Sequence, residues 1–128
     1  MITKENKSYT ELLVWKEARA LVNIIYSLTK LFPKDELFGL TNQLRRAAVS
    51  VPSNIAEGCG RETPRDTTHF LVIARGSLYE IETQLYLALD QKYLNANDFE
   101  LAYRVLCNCR KLLQGFIKHH KSRIENRP

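Results

Sequence analysis

The chain has 128 residues, 45% of them hydrophobic and 26% charged, with a formal net charge of +5. This size and balance fit one domain that buries a core without disulfides or metals, and they argue against disorder. No apolar run approaches the ~18 residues of a membrane span, and MITKENKSYTELL lacks the apolar core of a signal peptide, so a cytoplasmic protein with no membrane partner is expected.

The first helix is expected over residues 10–31. Trp15, Ala18, Val22, Ile25 and Thr29 form one apolar stripe, and Val14, Leu21 and Leu28 form a flanking heptad line. Phe32-Pro33 closes the element, because the residue before proline disfavours helix. The second helix spans 37–58, with Leu44, Ala48, Val51 and Ile55 on its apolar face. A polar stripe of Arg46, Ser50, Ser53 or Asn54, and Glu57 runs beside it with the same period. Pro52 lies inside this pattern and predicts a kink, with two abutting short helices as the alternative. Gly58-Cys59-Gly60 is the expected left-handed stop.

The third helix runs over 64–91, with Thr63 as N-cap, Pro64 in the first helical position and Asp66 in the first turn. Leu71, Ala74, Leu78, Ile81, Leu85 and Ala88 make an unbroken three-four seam, and Val72, Tyr79, Tyr86 and Tyr93 follow every seven residues. Tyrosines so placed suit a boundary or interface, ring buried and hydroxyl wet. The fourth helix spans 98–121, opened by Asn97 and Glu100 as a capping-box pair, with Phe99, Ala102, Leu106, Cys109, Leu113 and Phe116 as its seam. Short loops then give one all-α domain over 1–128, an antiparallel up-down-up-down four-helix bundle with a basic tail at 118–128.

The stretch from Leu40 to Arg61, LTNQLRRAAVSVPSNIAEGCGR, is rich in small residues, so its polar stripe is expected to pack rather than to stand in solvent. It also carries a resemblance, together with Leu12-Leu13-Val14-Trp15, Ala18, Phe32-Pro33, Glu36, Phe38-Gly39-Leu40-Thr41, Phe70-Leu71, Ile73-Ala74, Gly76-Ser77-Leu78 and the run from Glu80 to Leu85. Over roughly residues 9–117 the chain resembles the bacterial four-helix-bundle proteins first met in open reading frames of ribosomal-RNA intervening sequences. More distantly it is similar to the accessory protein of diversity-generating retroelements, which partners a reverse transcriptase and nucleic acid. The resemblance implies a homopentamer and brings no catalytic activity with it.

The charge has an address. Residues 1–109 hold 13 Lys and Arg against 13 Asp and Glu, whereas 110–128 hold Arg110, Lys111, Lys118, Lys121, Arg123 and Arg127 against Glu125 alone. Two readings stand for this segment: a footprint for phosphate backbones, or a solvated helix end whose cations complement the helix dipole. A second group, Arg45, Arg46, Arg61, Glu57, Glu80 and Glu82, would interlock across the second and third helices or between subunits. With Ser50, Pro52, Ser53, Asn54, Tyr79 and Tyr86 it makes the candidate packing seam.

Chemistry is sparse. Cys59, Cys107 and Cys109 are odd in number and read as reduced structural thiols. Asp66 and His69 stand at a metal-ligand spacing, yet no second such pair exists to complete a bundle site. His119 and His120 diverge around a helix and instead add positive charge below about pH 6.5. Glu80 and Glu82 diverge likewise, and no serine elbow or phosphate loop is present. The expectation is a non-enzymatic, oligomeric protein without cofactor, associated with RNA through its basic surface. The alternative is an oligomeric scaffold for a protein partner such as a reverse transcriptase.

Overall fold

The computed structural model describes residues 8–125. Four helices dominate: α1 (Leu13–Thr29), α2 (Leu40–Cys59), α3 (Pro64–Asp90) and α4 (Ala96–Glu125), and no strand occurs among the described residues. α1 and α3 each pack on both α2 and α4, so the helices stand in a ring. Residue numbers run in opposite directions across the α2–α3 and α3–α4 seams: Thr67 meets Gly58 while Ser77 meets Ser50, and Tyr79 meets Arg110 while Tyr86 meets Tyr103. This is the expected antiparallel four-helix bundle.

Its core follows the heptad lines. All six residues of the α3 seam are buried, as are Phe99, Ala102, Leu106, Cys109 and Leu113 of α4. The buried line continues through Ile117, with Phe116 only half-buried. On α1 the line expected to flank is the central one. Val14, Leu21 and Leu28 are buried with Ala18 and Ile25, while Trp15 and Val22 pack at the edge. Both lines repeat every seven residues; the buried face is centred between Val14, Leu21 and Leu28 on one side and Ala18 and Ile25 on the other, and Trp15 and Val22 stand about a quarter-turn from it.

Five boundaries differ from the sequence expectation by two residues or more, the first four for local reasons. α1 begins at Leu13, because the Ser8 hydroxyl accepts from the Thr10 N–H and caps a separate 3₁₀ turn, Tyr9–Glu11. Leu12 is then extended, and the Tyr9 ring folds onto Trp15 at 5.4 Å. α1 ends at Thr29, with the chain turning so that Phe32 is buried against Tyr93. α2 begins at Leu40 because a second 3₁₀ turn, Lys34–Glu36, and the non-helical Gly39 (φ −111°, ψ −117°) come first. α4 starts two residues early, since Asn95 and not Asn97 is the cap: its Oδ1 accepts from the Asp98 N–H at 2.8 Å. α4 also continues past Lys121 to Glu125.

α2 runs unbroken through Pro52 as one helix, which excludes the two-helix alternative. Its expected left-handed glycine stop is absent: Gly60 has φ −84°, and Gly58 lies buried within the helix. Gly58 serves packing instead, because a Cβ there would stand 3.1 Å from the Thr67 carbonyl oxygen and 3.3 Å from the Phe70 Cβ. The left-handed turn falls at Lys92 (φ 64°), after α3. There the Lys92 and Tyr93 N–H groups return to the carbonyls of Leu89 and Ala88, closing α3 in a Schellman turn.

Candidate nucleic-acid interface

The α3–α4 seam opens outward into a groove. On α3, Arg75, Tyr79, Glu82 and Tyr86 follow at steps of four, three and four, and therefore share one face. Opposite them on α4 stand Tyr103, Cys107, Arg110, Gln114, Lys118 and Lys121, again at helical steps. Three stations are visible along this line. At one end Arg75, Gln114, Lys118 and Lys121 border a concavity of about 530 Å³. In the middle the Arg110 guanidinium lies 5.2 Å from the Tyr79 ring centroid and donates to Glu82 Oε1 at 3.0 Å. At the far end Tyr86 packs against Phe99 and Tyr103, with centroids 4.9 and 6.3 Å apart.

The sequence-picked cations thus divide. Lys118 and Lys121 converge with Arg75, which sequence reasoning passed over although its spacing from Tyr79 and Glu82 was readable. Arg110 is committed within the molecule. Burial opposes its charge, but the hydrogen bond and charge of Glu82 outweigh this and raise its pKa. Lys111 is exposed beside the groove. Arg123 borders a second, smaller concavity with Arg61, Glu62, Phe116 and His120, where α2 ends and α3 begins. Burial, then the charges of His119 and Arg123, hold the His120 imidazole below its usual pKa, so its positive charge arrives later on acidification than the sequence alone suggested. Arg127 lies outside the described residues.

The candidate packing seam also divides, and no ion pair among the described residues joins α2 to α3. Arg45 turns to α1: its Nε donates to Thr29 Oγ1 at 2.9 Å and its guanidinium lies 4.8 Å from the Tyr26 ring centroid. Glu82 turns to α4, as above. Glu57 and Arg61 meet each other at 3.3 Å at the exposed end of α2, and Arg61 also covers Phe70. Arg46 and Glu80 border one shallow notch with Ser50, Ser77 and Gln84 without pairing. What does cross from α2 to α3 is hydroxyl chemistry. Ser77 Oγ donates to Ser50 Oγ at 2.9 Å and Thr67 Oγ1 donates to the Gly58 carbonyl, while within α2 Asn54 Nδ2 donates to the same Ser50 oxygen. Ser50 and Asn54 are therefore packed, Pro52 is half-buried, and Ser53 and Glu57 face solvent. The stripe divides because residues three and four apart stay on one face only approximately, so its outer members drift off the seam.

Tyr79 and Tyr86 remain 49% and 46% exposed. Asp66 and His69 are both exposed on α3, and no group of His, Cys, Asp or Glu among the described residues is placed to hold a metal. Cys109 is buried, which together with the Glu17 charge pushes its thiol up to about 12. No described helix is long and apolar enough to cross a membrane.

Fold and groove together define a small antiparallel four-helix-bundle protein with a cationic, tyrosine-bearing face along one helix pair. The chain belongs to the 23S rRNA-intervening sequence protein family, whose pattern matches residues 10–115. It is similar to a crystal structure from Bacteroides thetaiotaomicron, described as a protein with unknown function from the S23 ribosomal protein family. The two share 25% sequence identity and a TM-score of 0.77 over 83% of this chain and 99% of that one. Among curated proteins none matches.

Proposed function

We propose that this chain is a non-enzymatic, RNA-associated cytoplasmic protein that acts as a homo-oligomer, five copies being the number its resemblance implies. The observation that carries the RNA reading is the convergence of Arg75, Lys118 and Lys121 on one open concavity, the two lysines coming from the segment that holds the chain's whole positive excess. Three cations on one face form a footprint for a phosphate backbone, and repetition in an oligomer multiplies weak contacts by avidity. Assembly is supported by the large apolar side chains left in solvent, above all Leu31, Leu37 and the 91%-exposed Phe38 between α1 and α2.

Fluorescence anisotropy with structured and single-stranded RNA at two salt concentrations tests the first part. Affinity should fall steeply with salt as phosphates release counterions. Lys118→Glu with Lys121→Glu should abolish binding without unfolding the bundle, since both side chains are exposed. Light scattering tests the second part, and a 14.8 kDa particle would exclude assembly. Absence of RNA binding at low salt would leave the scaffold for a protein partner, presented by the Leu31–Phe38 surface, as the better reading.

A further inference from the structure

We propose that the α3–α4 groove is a track for single-stranded RNA, with phosphates against Arg75, Lys118 and Lys121 and unpaired bases stacked on Tyr79 and Tyr86. This rests on the RNA reading above and narrows it to a substrate class and a mode of contact.

Register carries the argument first. The cations and the tyrosines occupy one continuous face of the same helix pair, because Arg75, Tyr79 and Tyr86 share a face of α3 and the α4 residues opposite them are likewise in line. From residue 103 to residue 121 this face extends roughly 27 Å along α4. A basic end continuing into aromatic platforms is the combination that holds a single strand: charge follows the backbone, and rings accept whichever base arrives.

The rings are also held ready. Arg110 covers Tyr79 and is itself fixed by Glu82, while Phe99 and Tyr103 brace Tyr86. Each tyrosine nevertheless keeps about half its surface in solvent. A braced, half-exposed ring loses little freedom when a base stacks on it. Among the described side chains Glu82 is the one carboxylate placed within this line, and its pairing with Arg110 at 3.0 Å neutralises the repulsion it would exert on a phosphate. Bases inside a duplex are already stacked on one another and cannot reach the tyrosines, so the groove should favour unpaired RNA.

The test measures anisotropy of a labelled oligoadenylate of about twelve nucleotides and of an RNA duplex of equal length. Wild type is compared with Tyr79→Leu/Tyr86→Leu and with Tyr79→Phe/Tyr86→Phe. Wild type should prefer the single strand. The leucine pair should weaken single-strand binding by about 5- to 150-fold for each ring lost, with duplex binding unchanged. The phenylalanine pair should bind as wild type does. Photocrosslinking of a bromouridine-bearing oligonucleotide to the wild-type protein gives a decision independent of any variant's folding. Adducts on Tyr79 or Tyr86 support the track, and adducts confined to other residues overturn it. Equal affinity for strand and duplex, or an undiminished leucine variant, overturns the track while leaving the RNA reading in place. A leucine variant that loses assembled mass but keeps its RNA affinity reassigns the tyrosines to a subunit contact. If wild type binds neither RNA, both readings fall together.

Discussion

Along α2, α3 meets Ala47, Ser50 and Gly58 with Ser77 and Thr67 opposite, and hydroxyl groups reach across the seam. Along α4, the same helix meets Arg110, Tyr103 and Phe99 through Glu82, Tyr79 and Tyr86. The first seam is built for close approach: a methyl group at Gly58 would already crowd the Thr67 carbonyl. The second is built from long side chains, which hold their ends at the surface and leave a lined groove. Charge follows size. The notch on the α2 side is bordered by Arg46 and Glu80, which cancel, whereas Arg75, Lys118 and Lys121 border the α4 side. A seam of small residues spends its polar groups inside the protein, and a seam of long ones keeps them available to a ligand.

The sharpest way to break this comparison is to add bulk on the tight side. Gly58→Val should cost about 3 kcal/mol by overpacking α2 against α3. Gly76→Ala, where the added Cβ meets nothing within 4 Å, should instead stabilise the fold, by up to about 1 kcal/mol through helix propensity. Urea midpoints read both, and an equal sign for the two substitutions would mean the α2–α3 approach is not tight.

Alkaline unfolding probes the core face of α4, near α1. The Cys109 thiol has its pKa raised from 9.0 to about 12, so below pH 9 it is protonated in folded and unfolded chains alike and contributes no pH dependence. Between pH 9 and about 12 the unfolded chain releases this proton first, and stability should fall as pH rises, with a slope approaching roughly 1.4 kcal/mol per pH unit. Comparing wild type with Cys109→Ala between pH 8 and about pH 10 isolates this slope. Equal slopes in the two proteins would mean the thiol titrates normally.

Double-mutant cycles compare the polar bonds of the two seams directly. Glu82 and Arg110 are only 21% and 20% exposed at their side chains, so their coupling should exceed that of a surface pair, at about 1 kcal/mol. Ser50 and Ser77 should couple by about 0.5–1 kcal/mol, as a neutral hydrogen bond does. The smallest effect belongs to Glu57→Ala. Its partner Arg61 is exposed as well, so the melting temperature should move by less than that of any variant above, reflecting about 0–0.5 kcal/mol. A large drop would restore Glu57 to the packed seam.

Much of the architecture was legible because heptad spacing is a local property of the chain. The α3 seam from Leu71 to Ala88 and the Thr63 cap were readable residue by residue, the Thr63 hydroxyl accepting from the Asp66 N–H as expected. Boundaries were less legible where two caps competed: Asn95 and Asn97 look alike in sequence, and the Lys92 turn decides which of them stands three residues before a free N–H. The site was legible in half. The basic C-terminal segment could be counted, and the tyrosines every seven residues could be seen, but nothing local joined them to each other or to Arg75.

By itself, then, the sequence determined four amphipathic helices, their order, the small-residue face of α2 and the location of the excess charge, since each depends on spacing or counting along one strand of chain. Only the tertiary structure decided partners. It sent Arg45 to Thr29 rather than to a carboxylate, tied Glu82 to Arg110 and aligned Arg75 with Lys118 and Lys121. A long side chain on a helix can reach either neighbouring helix, and the choice rests on the antiparallel register that packing of the whole bundle imposes.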